Sequence, residues 1–548
     1  MAHALAGKPV QEQDIIDVQT IVDAYFDNVP DVTNPTQLVS FGTSGHRGTS
    51  VDGTFTDLHV AAITQAICDS RKQFGATGPI FVGQDTHALS QPALVTVLEV
   101  LAGNGVTAMV DCDMDFVPTP SVSRAIIRYN EEHDDKADGI IITPSHNPPD
   151  NGGIKYNTII GGPADTVVTK WIEMRANEYL TAYCESEDFK RISIDNIEPT
   201  AQVPYDYKGL YVEELGDVIN MEAIKAAGPK VLVDTLGGSG ASYWNAIKER
   251  YGLDLTIIHD EYDPTFSFMT YDHDGKVRMD CSSTYVMASV INRIGDFDLA
   301  VGNDPDYDRY GIVVSSGLIS ANTFLTLAAR YLFTTRGWKN KGVGKTVVCT
   351  TMIDKWATSA ETPVFEVPVG FKYFSQLLFD GSIGIGGEES AGASFLKKDG
   401  TVWTTDKDGM IMALLSMEIM AVMGKSALKM ADESLEEFGN PSFGRIDAPC
   451  KKEQKQILKQ MSAELITATT VDGDPITNIR TTSLYNDMPI DGVRVETDKG
   501  WFVARPSGTE DLYKIYGESY KGDLGLVALL TAGEEIVNAA LNGTIETE

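Results

Sequence analysis

Asp138-Gly139-Ile140-Ile141-Ile142-Thr143-Pro144-Ser145-His146-Asn147-Pro148-Pro149 reads as a hydrophobic strand that runs straight into a loop of reactive side chains. Three consecutive isoleucines favour a strand. Prolines on both sides of the Ser-His pair restrict the backbone and hold the hydroxyl in a defined turn, where a serine can act as a nucleophile. Taken alone, the loop could equally be a proline-rich surface turn. It is not alone, because the same strand-then-loop arrangement recurs twice more in the chain, and open α/β sheets place ligands beyond the C-terminal ends of their strands.

Working outward, the strands expected around this one are 79–83 and 106–111. A second set is expected at 230–234, 255–259 and 297–301, and a third at 345–351, 363–369 and 381–386. Helical patterns alternate with them, as a chain of βα units requires. One runs from Leu58 to Gly75 with Val60, Ile63 and Ile67 on one face and Gly75 as its stop. Another starts with Ser90 as N-cap and Pro92 in the first turn, and carries Leu94, Val97, Leu98 and Leu101. The segment from Met410 to Met423, with five methionines, is expected to be a buried helix. The last hundred residues differ: a Lys/Glu-rich helix over 451–465, then strands at 491–497, 500–508 and 512–519, suggest a small α+β unit. The expected fold class is therefore α/β with four domains: 1–205, 206–318 and 319–435 with one shared α/β topology, and 436–548 as α+β.

The 548 residues include 44 Lys and Arg against 78 Asp and Glu, a formal charge of −34. A field of that sign repels nucleic acid and anionic membranes, so an anionic substrate needs a local cationic pocket. Six cysteines without CxxC spacing argue against a disulfide scaffold or a structural zinc site and fit a reducing cytoplasm. The N-terminus lacks the apolar run of a signal peptide, and Met410 to Met423, taken as the longest apolar stretch, is too short to span a bilayer and contains Glu418.

The second loop is Asp304-Pro305-Asp306-Tyr307-Asp308-Arg309. In extended backbone, residues i, i+2 and i+4 share a face, so three carboxylates converge and repel unless a divalent cation sits among them. A calcium EF-hand is disfavoured, since its sixth position is Arg309 rather than Gly and its twelfth is Ser315 rather than Glu. Octahedral Mg²⁺, which completes its shell with water or phosphate oxygens, fits better. The third loop, Gly386-Gly387-Glu388-Glu389-Ser390-Ala391-Gly392, offers a carboxylate and a hydroxyl suited to a pair of sugar hydroxyls, with helix capping as its bland alternative. The fourth, Arg505-Pro506-Ser507-Gly508-Thr509-Glu510, joins a guanidinium to two hydroxyls and a glycine-opened backbone, a combination for bidentate phosphate binding. Near the N-terminus, residues 41–48, which include Thr43, Ser44 and Arg47, form a further glycine-rich loop. Arg47, Lys155, Arg309, Lys372 and Arg505 lie in or beside these loops and supply the cationic pocket. Gly342-Val343-Gly344-Lys345-Thr346 is no Walker A loop, because Lys339 stands where its first glycine is needed.

Together the motifs FGTSGHRG, TPSHNPPDNGGIKYN, NDPDYDR, GGEESAGASF and ARPSGTEDLYKIY resemble the α-D-phosphohexomutase superfamily, in a wording close to its bacterial members, over nearly the whole chain. The resemblance implies four domains around a central cleft, the last TATA-binding-protein-like. It implies interconversion of glucose 1-phosphate and glucose 6-phosphate, with glucose 1,6-bisphosphate as intermediate and activator. Ser145 would carry the phosphoryl group, with Asp304, Asp306 and Asp308 holding Mg²⁺ together with an oxygen of phosphorylated Ser145. Arg47, Lys155 and His146 would serve the chemistry, the last two as candidates for proton transfer. Thr43, Ser44, Arg309 and Lys372 would contact substrate, Glu388 and Ser390 would read sugar hydroxyls, and Arg505, Ser507, Gly508 and Thr509 would clamp the distal phosphate. Glu389 beside Glu388, where mannose-type relatives carry Met, favours glucose. Partners are then sugar phosphates and, as an open option, a second copy of the chain, with no nucleic acid or membrane. The bisphosphate must turn around within the cleft, and because a dry, closed cleft protects the phosphoenzyme from water, a hinge is expected between the clamp domain and the rest. A metal-dependent phosphomonoesterase and a non-catalytic sugar-phosphate-binding relative are the rival classes. The first needs no second phosphate clamp, and the second predicts loss of the serine or an aspartate.

Overall fold

A computed structural model describes residues 2–42, 45–184, 189–506 and 512–545. The packing falls into two compact units that interleave along the chain: Met1–Ala321 with Phe374–Ser382 and Ser390–Leu428, and Asn322–Tyr373 with Ile383–Glu389 and Lys429–Glu548.

The first unit holds two sheets. In one, β1 (Gly45–Thr49), β2 (Ile80–Gln84), β3 (Ala108–Asp111), β4 (Asp138–Ile142), β5 (Asn151–Asn157) and β6 (Gln202–Tyr205) lie in the order β1-β5-β4-β2-β3-β6. The β4-β2-β3-β6 core is parallel, and β5 and β1 pair antiparallel on its edge. Helices α1 (Val18–Asp27), α2 (Asp57–Arg71), α3 (Ser90–Gly103), α4 (Thr119–Glu132) and α5 (Thr166–Cys184) accompany it. Ile140 and Ile142 join one core with α2, α3 and α5, while Ile141 joins a separate core with Val122 and Ile126 of α4. The apolar run of β4 is thus buried on both faces, which is why it shows no polar alternation. In the second sheet, β7 (Val231–Asp234), β8 (Leu255–Ile258), β9 (Leu299–Asn303), β10 (Tyr310–Val314) and β11 (Gly317–Leu318) lie in the order β11-β10-β9-β7-β8. There β7 is parallel to both neighbours, and β9 and β10 form an antiparallel pair. The helix Gly409–Met423 is buried as expected, and the main-chain N–H of Asn220 donates to Glu418 Oε2 at 2.7 Å, which accounts for a carboxylate in that apolar run.

In the second unit β12 (Gly342–Thr346) is parallel to β13 (Val364–Val367) and to β14 (Ile383–Gly387). A further strand, β15 (Ala393–Phe395), belongs to the first unit. The C-terminal part is an antiparallel sheet of β16 (Ser442–Pro449), β17 (Thr470–Val471), β18 (Asp474–Thr482), β19 (Pro489–Thr497), β20 (Gly500–Pro506) and β21 (Leu512–Ser519), in the order β16-β21-β20-β19-β18-β17. Two helices, Lys452–Lys459 and Gly522–Ile545, accompany it. The α/β and α+β classes are as read.

Several local expectations are corrected. Helix α3 starts at Ser90 itself, whose hydroxyl donates to Asp85 Oδ1 instead of capping the helix. Helix α2 ends at Arg71, and the chain leaves through a turn with Gly75 at φ +91°. The strand expected at 345–351 lies earlier, at Gly342–Thr346, and a Cβ at position 342 would lie 2.2 Å from the Phe365 ring of β13, so glycine is required there. The boundary expected between 435 and 436 falls inside a helix, Ala427–Phe438. The longest apolar run is not Met410–Met423: Gly522–Asn542 is long and apolar enough to cross a membrane, yet Leu529, Leu530, Val537 and Leu541 enter the core of the C-terminal sheet. The C-terminal sheet is tied to the other strands of its own unit. Arg480 makes a bidentate pair with Glu366 of β13 at 2.5 and 2.8 Å, and Val347, Val348, Trp501 and Val503 share one apolar cluster.

Candidate active site

Beyond β4, the Ser145 N–H donates to Thr143 Oγ1 at 2.8 Å, and Ser145 takes φ +63°, the left-handed region that an L residue enters only under constraint. The constraint is a buried polar clamp that the sequence reading missed. Thr143 Oγ1 donates to Asp85 Oδ2 at 2.5 Å, His87 Nδ1 donates to the same oxygen at 2.9 Å, and His87 Nε2 donates to the Asn147 carbonyl at 3.0 Å. With both ring nitrogens donating, His87 is an imidazolium. Burial alone would discharge both groups. The charge of His87 and the hydrogen bonds from His87, Ser90 and Thr143 nevertheless hold the Asp85 carboxyl below its ordinary value, and Asp85 in turn raises His87. The ion pair therefore grips the serine loop before and after Ser145. The signal for it, an Asp-x-His at the end of β2, was present in the sequence but carries no meaning without the fold.

Ser145 Oγ donates to Asp304 Oδ2 at 2.9 Å, across from β4 to the β9–β10 connection. That connection is a tight turn with Tyr307 at φ +62°, not the extended backbone expected, but the outcome is the same: ligand atoms of Asp304, Asp306 and Asp308 lie within 4.8 Å of one another, all buried. Asp304, with Ser145 on one oxygen, has a donor on the other as well, while Asp306 and Asp308 each have hydrogen-bond donors on one oxygen. The Arg309 N–H donates to Asp304 Oδ1 at 2.9 Å. Asp306 Oδ2 accepts from Thr119 Oγ1 at 2.7 Å and Lys155 Nζ at 2.6 Å. Asp308 Oδ2 accepts from Lys155 and Lys407, each at 3.0 Å. Asp306 Oδ1 and Asp308 Oδ1 are buried and accept no hydrogen bond, although Arg309 Nε lies 4.0 Å from Asp308 Oδ1. Buried carboxylate oxygens without hydrogen-bond donors, in a cluster beside a serine hydroxyl, are the donor set of a hard divalent cation, and these residues fit one. Burial and the charges of Asp306 and Asp308 push the Asp304 carboxyl well above its usual range. For Asp308, burial is outweighed by Lys155, Lys407 and Arg309, which hold it far below. Lys155 is raised, its own burial overcome by Asp306 and Asp308.

The rest of the cationic lining surrounds the hydroxyl. Arg47 Nη1 donates to Asn147 Oδ1 at 3.4 Å, and Arg309 Nη1 to Asp280 Oδ2 at 3.3 Å. His146 Nδ1 lies 3.3 Å from Ser145 Oγ, with its Nε2 3.8 Å from Asp280. Burial, then the charges of Arg309 and Arg47, hold His146 well below its ordinary value despite Asp280, so the ring is neutral at neutral pH. Asp406 accepts from Asn157 Nδ2 at 2.9 Å; burial raises it to about 6 against the opposing charge of Lys155. Lys407, Asp406, Asp280 and Thr119 went unrecognised in the sequence.

Of the expected site residues, the first unit brings together Ser145, His146, Arg47, Lys155, Asp304, Asp306, Asp308 and Arg309. Ser390 belongs to it too, and Ala391, at φ +65°, accepts from the Tyr310 N–H at 3.1 Å, which lays this segment beside Arg309. Glu388, Lys372 and Arg505 are in the second unit: Glu388 is buried just past the end of β14, Lys372 begins the helix Lys372–Phe379, and Arg505 Nε donates to the Ile490 carbonyl at 3.0 Å. Thr43, Ser44, Ser507, Gly508 and Thr509 lie outside the described residues.

A buried serine in a strained turn, a convergent carboxylate set and four Lys and Arg side chains around them suit an enzyme of phosphoryl transfer, where positioning and charge neutralisation do most of the work. The comparisons agree. Residues 38–182, 210–317 and 320–438 match alpha/beta/alpha domains I, II and III of phosphoglucomutase/phosphomannomutase, and residues 447–524 match its C-terminal domain. The phosphoglucomutase of Komagataeibacter xylinus is 47% identical over 539 residues, covering 97% of both chains. Among solved structures, parafusin (phosphoglucomutase) from Paramecium in its open form superposes with a TM-score of 0.72 at 19% identity, over 94% of this chain and 96% of that one. The Aspergillus fumigatus N-acetylphosphoglucosamine mutase in complex with GlcNAc-6P and magnesium gives a TM-score of 0.51 at 15% identity, over 96% and 99%. The chain belongs to the phosphoglucomutase/phosphomannomutase family and is a mutase of the isomerase class.

Proposed function

We propose that this mutase interconverts α-D-glucose 1-phosphate and D-glucose 6-phosphate through a phosphoserine at Ser145 and glucose 1,6-bisphosphate, which also serves as activator. One observation carries the reading: Ser145 Oγ is held 2.9 Å from Asp304, in a carboxylate cluster with two buried oxygens that accept no hydrogen bond. The similarity to the Komagataeibacter phosphoglucomutase supports glucose as the sugar. Asp304, Asp306 and Asp308, with an oxygen of phosphorylated Ser145, would hold Mg²⁺. The ion supplies positive charge to the phosphoryl oxygens.

The chain's own residues do the rest. Arg47, Lys155, Arg309 and Lys407 line the phosphoryl position with positive charge in a buried site, where it counts most. Lys155 Nζ, bonded to Asp306 and Asp308, and His146 Nδ1, 3.3 Å from Ser145 Oγ, are the two groups beside the serine that can take or return the proton of the attacking sugar hydroxyl. Thr43, Ser44 and Lys372 contact the sugar phosphate, Glu388 and Ser390 read sugar hydroxyls, and Arg505, Ser507, Gly508 and Thr509 hold the phosphate that is not being transferred. Since the reactive centre is fixed on Ser145, the bisphosphate turns around between half-reactions. Intact-protein mass after incubation with glucose 1,6-bisphosphate, followed by a coupled mutase assay, tests this: one phosphate per chain and rapid isomerisation are expected. Release of inorganic phosphate as fast as isomerisation would make the protein a phosphomonoesterase.

A further inference from the structure

We infer that Thr119 is a positioning residue of the metal site, the group that selects which oxygen of Asp306 is free to meet a cation. The inference rests on the Mg²⁺ reading above. Thr119 is the first residue of α4, follows Pro118 and is fully buried. It holds Asp306 at two points, its N–H donating to the Asp306 carbonyl at 2.9 Å and its Oγ1 to the Asp306 Oδ2 at 2.7 Å. The first bond satisfies one of the N–H groups that every helix N-terminus leaves without an intrahelical partner. The second takes up one carboxylate oxygen, Oδ2, and leaves Asp306 Oδ1 buried without a hydrogen-bond donor in a group where Asp304, Asp306 and Asp308 each bring a ligand atom within 4.8 Å of the others.

Lys155 also reaches Asp306 Oδ2, but an ammonium on a flexible four-carbon stem follows charge and does not choose between two oxygens. With its backbone N–H bonded to the Asp306 carbonyl at 2.9 Å, the Thr119 hydroxyl is held beside one oxygen of the same residue. The loop it holds needs such fixing, since Tyr307, the next residue, sits at φ +62°. Two further donors secure the neighbouring carbonyls: Ser239 N–H and Oγ both donate to Pro305 O at 2.8 Å, and the Gly409 N–H donates to Tyr307 O at 2.9 Å. Of the three, only Thr119 also touches a carboxylate. Partners of this kind behind a metal ligand typically change metal affinity about 10- to 100-fold when removed.

The test is a titration of the full-length protein with Mn²⁺, followed by the EPR signal of the free ion, with Mg²⁺ as competitor. Thr119→Val keeps the shape and the backbone bond but loses the hydroxyl. It is expected to weaken Mn²⁺ binding about 10- to 100-fold, to raise the Mg²⁺ concentration for half-maximal activity in parallel, and to leave the KM for glucose 1-phosphate at saturating Mg²⁺ unchanged. Thr119→Ser is expected to restore affinity. Mn²⁺ affinity within twofold of the parent in Thr119→Val, no recovery in Thr119→Ser, or a KM change without a metal change would each overturn the inference. Should Thr119→Val fail to fold, Thr119→Ala is titrated against Thr119→Ser by the same criteria. The metal reading fails separately, and the inference with it, if the parent binds no Mn²⁺ or if Asp306→Asn binds it as tightly.

Discussion

Replacing Asp85 with asparagine asks how much of the activity resides in the clamp behind the serine. Asp85 accepts four hydrogen bonds: His87 N–H at 3.0 Å and Ser90 Oγ at 2.5 Å on one oxygen, and Thr143 Oγ1 at 2.5 Å and His87 Nδ1 at 2.9 Å on the other. Asparagine keeps a single oxygen, so two of these donors must face an amide that cannot accept. Removing one partner of a buried ion pair costs about 3–5 kcal/mol of stability. Locally, a hydrogen bond to a charged group is worth about 1.5–3 kcal/mol, which matches the roughly 1–3 kcal/mol of a strained backbone conformation such as that of Ser145. Losing one anchor therefore tips the loop away from the left-handed turn and lowers the competent population about 10- to 150-fold at 1.4 kcal/mol per tenfold. The rate of phosphoserine formation, followed by intact mass, and kcat should fall by that factor. The KM for glucose 1-phosphate should stay within about threefold, because the proposed sugar-binding residues lie on other segments. A folded Asp85→Asn protein that phosphorylates Ser145 within twofold of the parent rate would refute the argument.

The same ion pair makes stability depend on pH. His87 titrates above its unfolded value, so its contribution is complete below about pH 6.5 and is lost as pH rises through the folded value, while Asp85, held below its unfolded value, contributes fully above about pH 4 and loses that as pH falls. The melting temperature of the parent should exceed that of Asp85→Asn most between these limits, and a difference that widened above pH 8 would contradict the pairing. Ser145→Ala should abolish turnover and leave the melting temperature nearly unchanged; mutase activity within tenfold of the parent would remove Ser145 as phosphate carrier. Asp306→Asn should weaken Mg²⁺ binding and rate together, since an anionic ligand becomes a neutral carbonyl, and calorimetric titration with unchanged affinity would take Asp306 out of the metal set. Arg505→Ala should lower kcat/KM for glucose 1-phosphate and glucose 6-phosphate by similar factors of about 10 to 150, the worth of one charge-assisted hydrogen bond. Impairment in one direction only would move Arg505 to the reaction centre.

What could be read along the chain was whatever is written locally. Isoleucine runs ending in Pro-Ser-His-Asn-Pro, Asp at alternate positions before Arg309, and the alternation of β-branched and amphipathic segments gave the fold class and the residues at the strand ends, because strand propensity, proline geometry and carboxylate repulsion act within a few residues. Even there the details depended on context: β12 requires glycine at position 342 because Phe365 fills the space beside it, and the aspartates converge through a turn at Tyr307. Tertiary structure alone decided what Asp85, His87, Thr119, Asp280 and Lys407 do. Each acts on a loop dozens to hundreds of residues away, Thr119 on Asp306 and Lys407 on Asp308, and a lone polar residue carries no sign of which distant donor or acceptor the fold will lay beside it. Burial then sets the stakes, since a polar group shut away from water must find a partner or a ligand. The oxygens of Asp306 and Asp308 that accept no hydrogen bond mark the place where a cation fits.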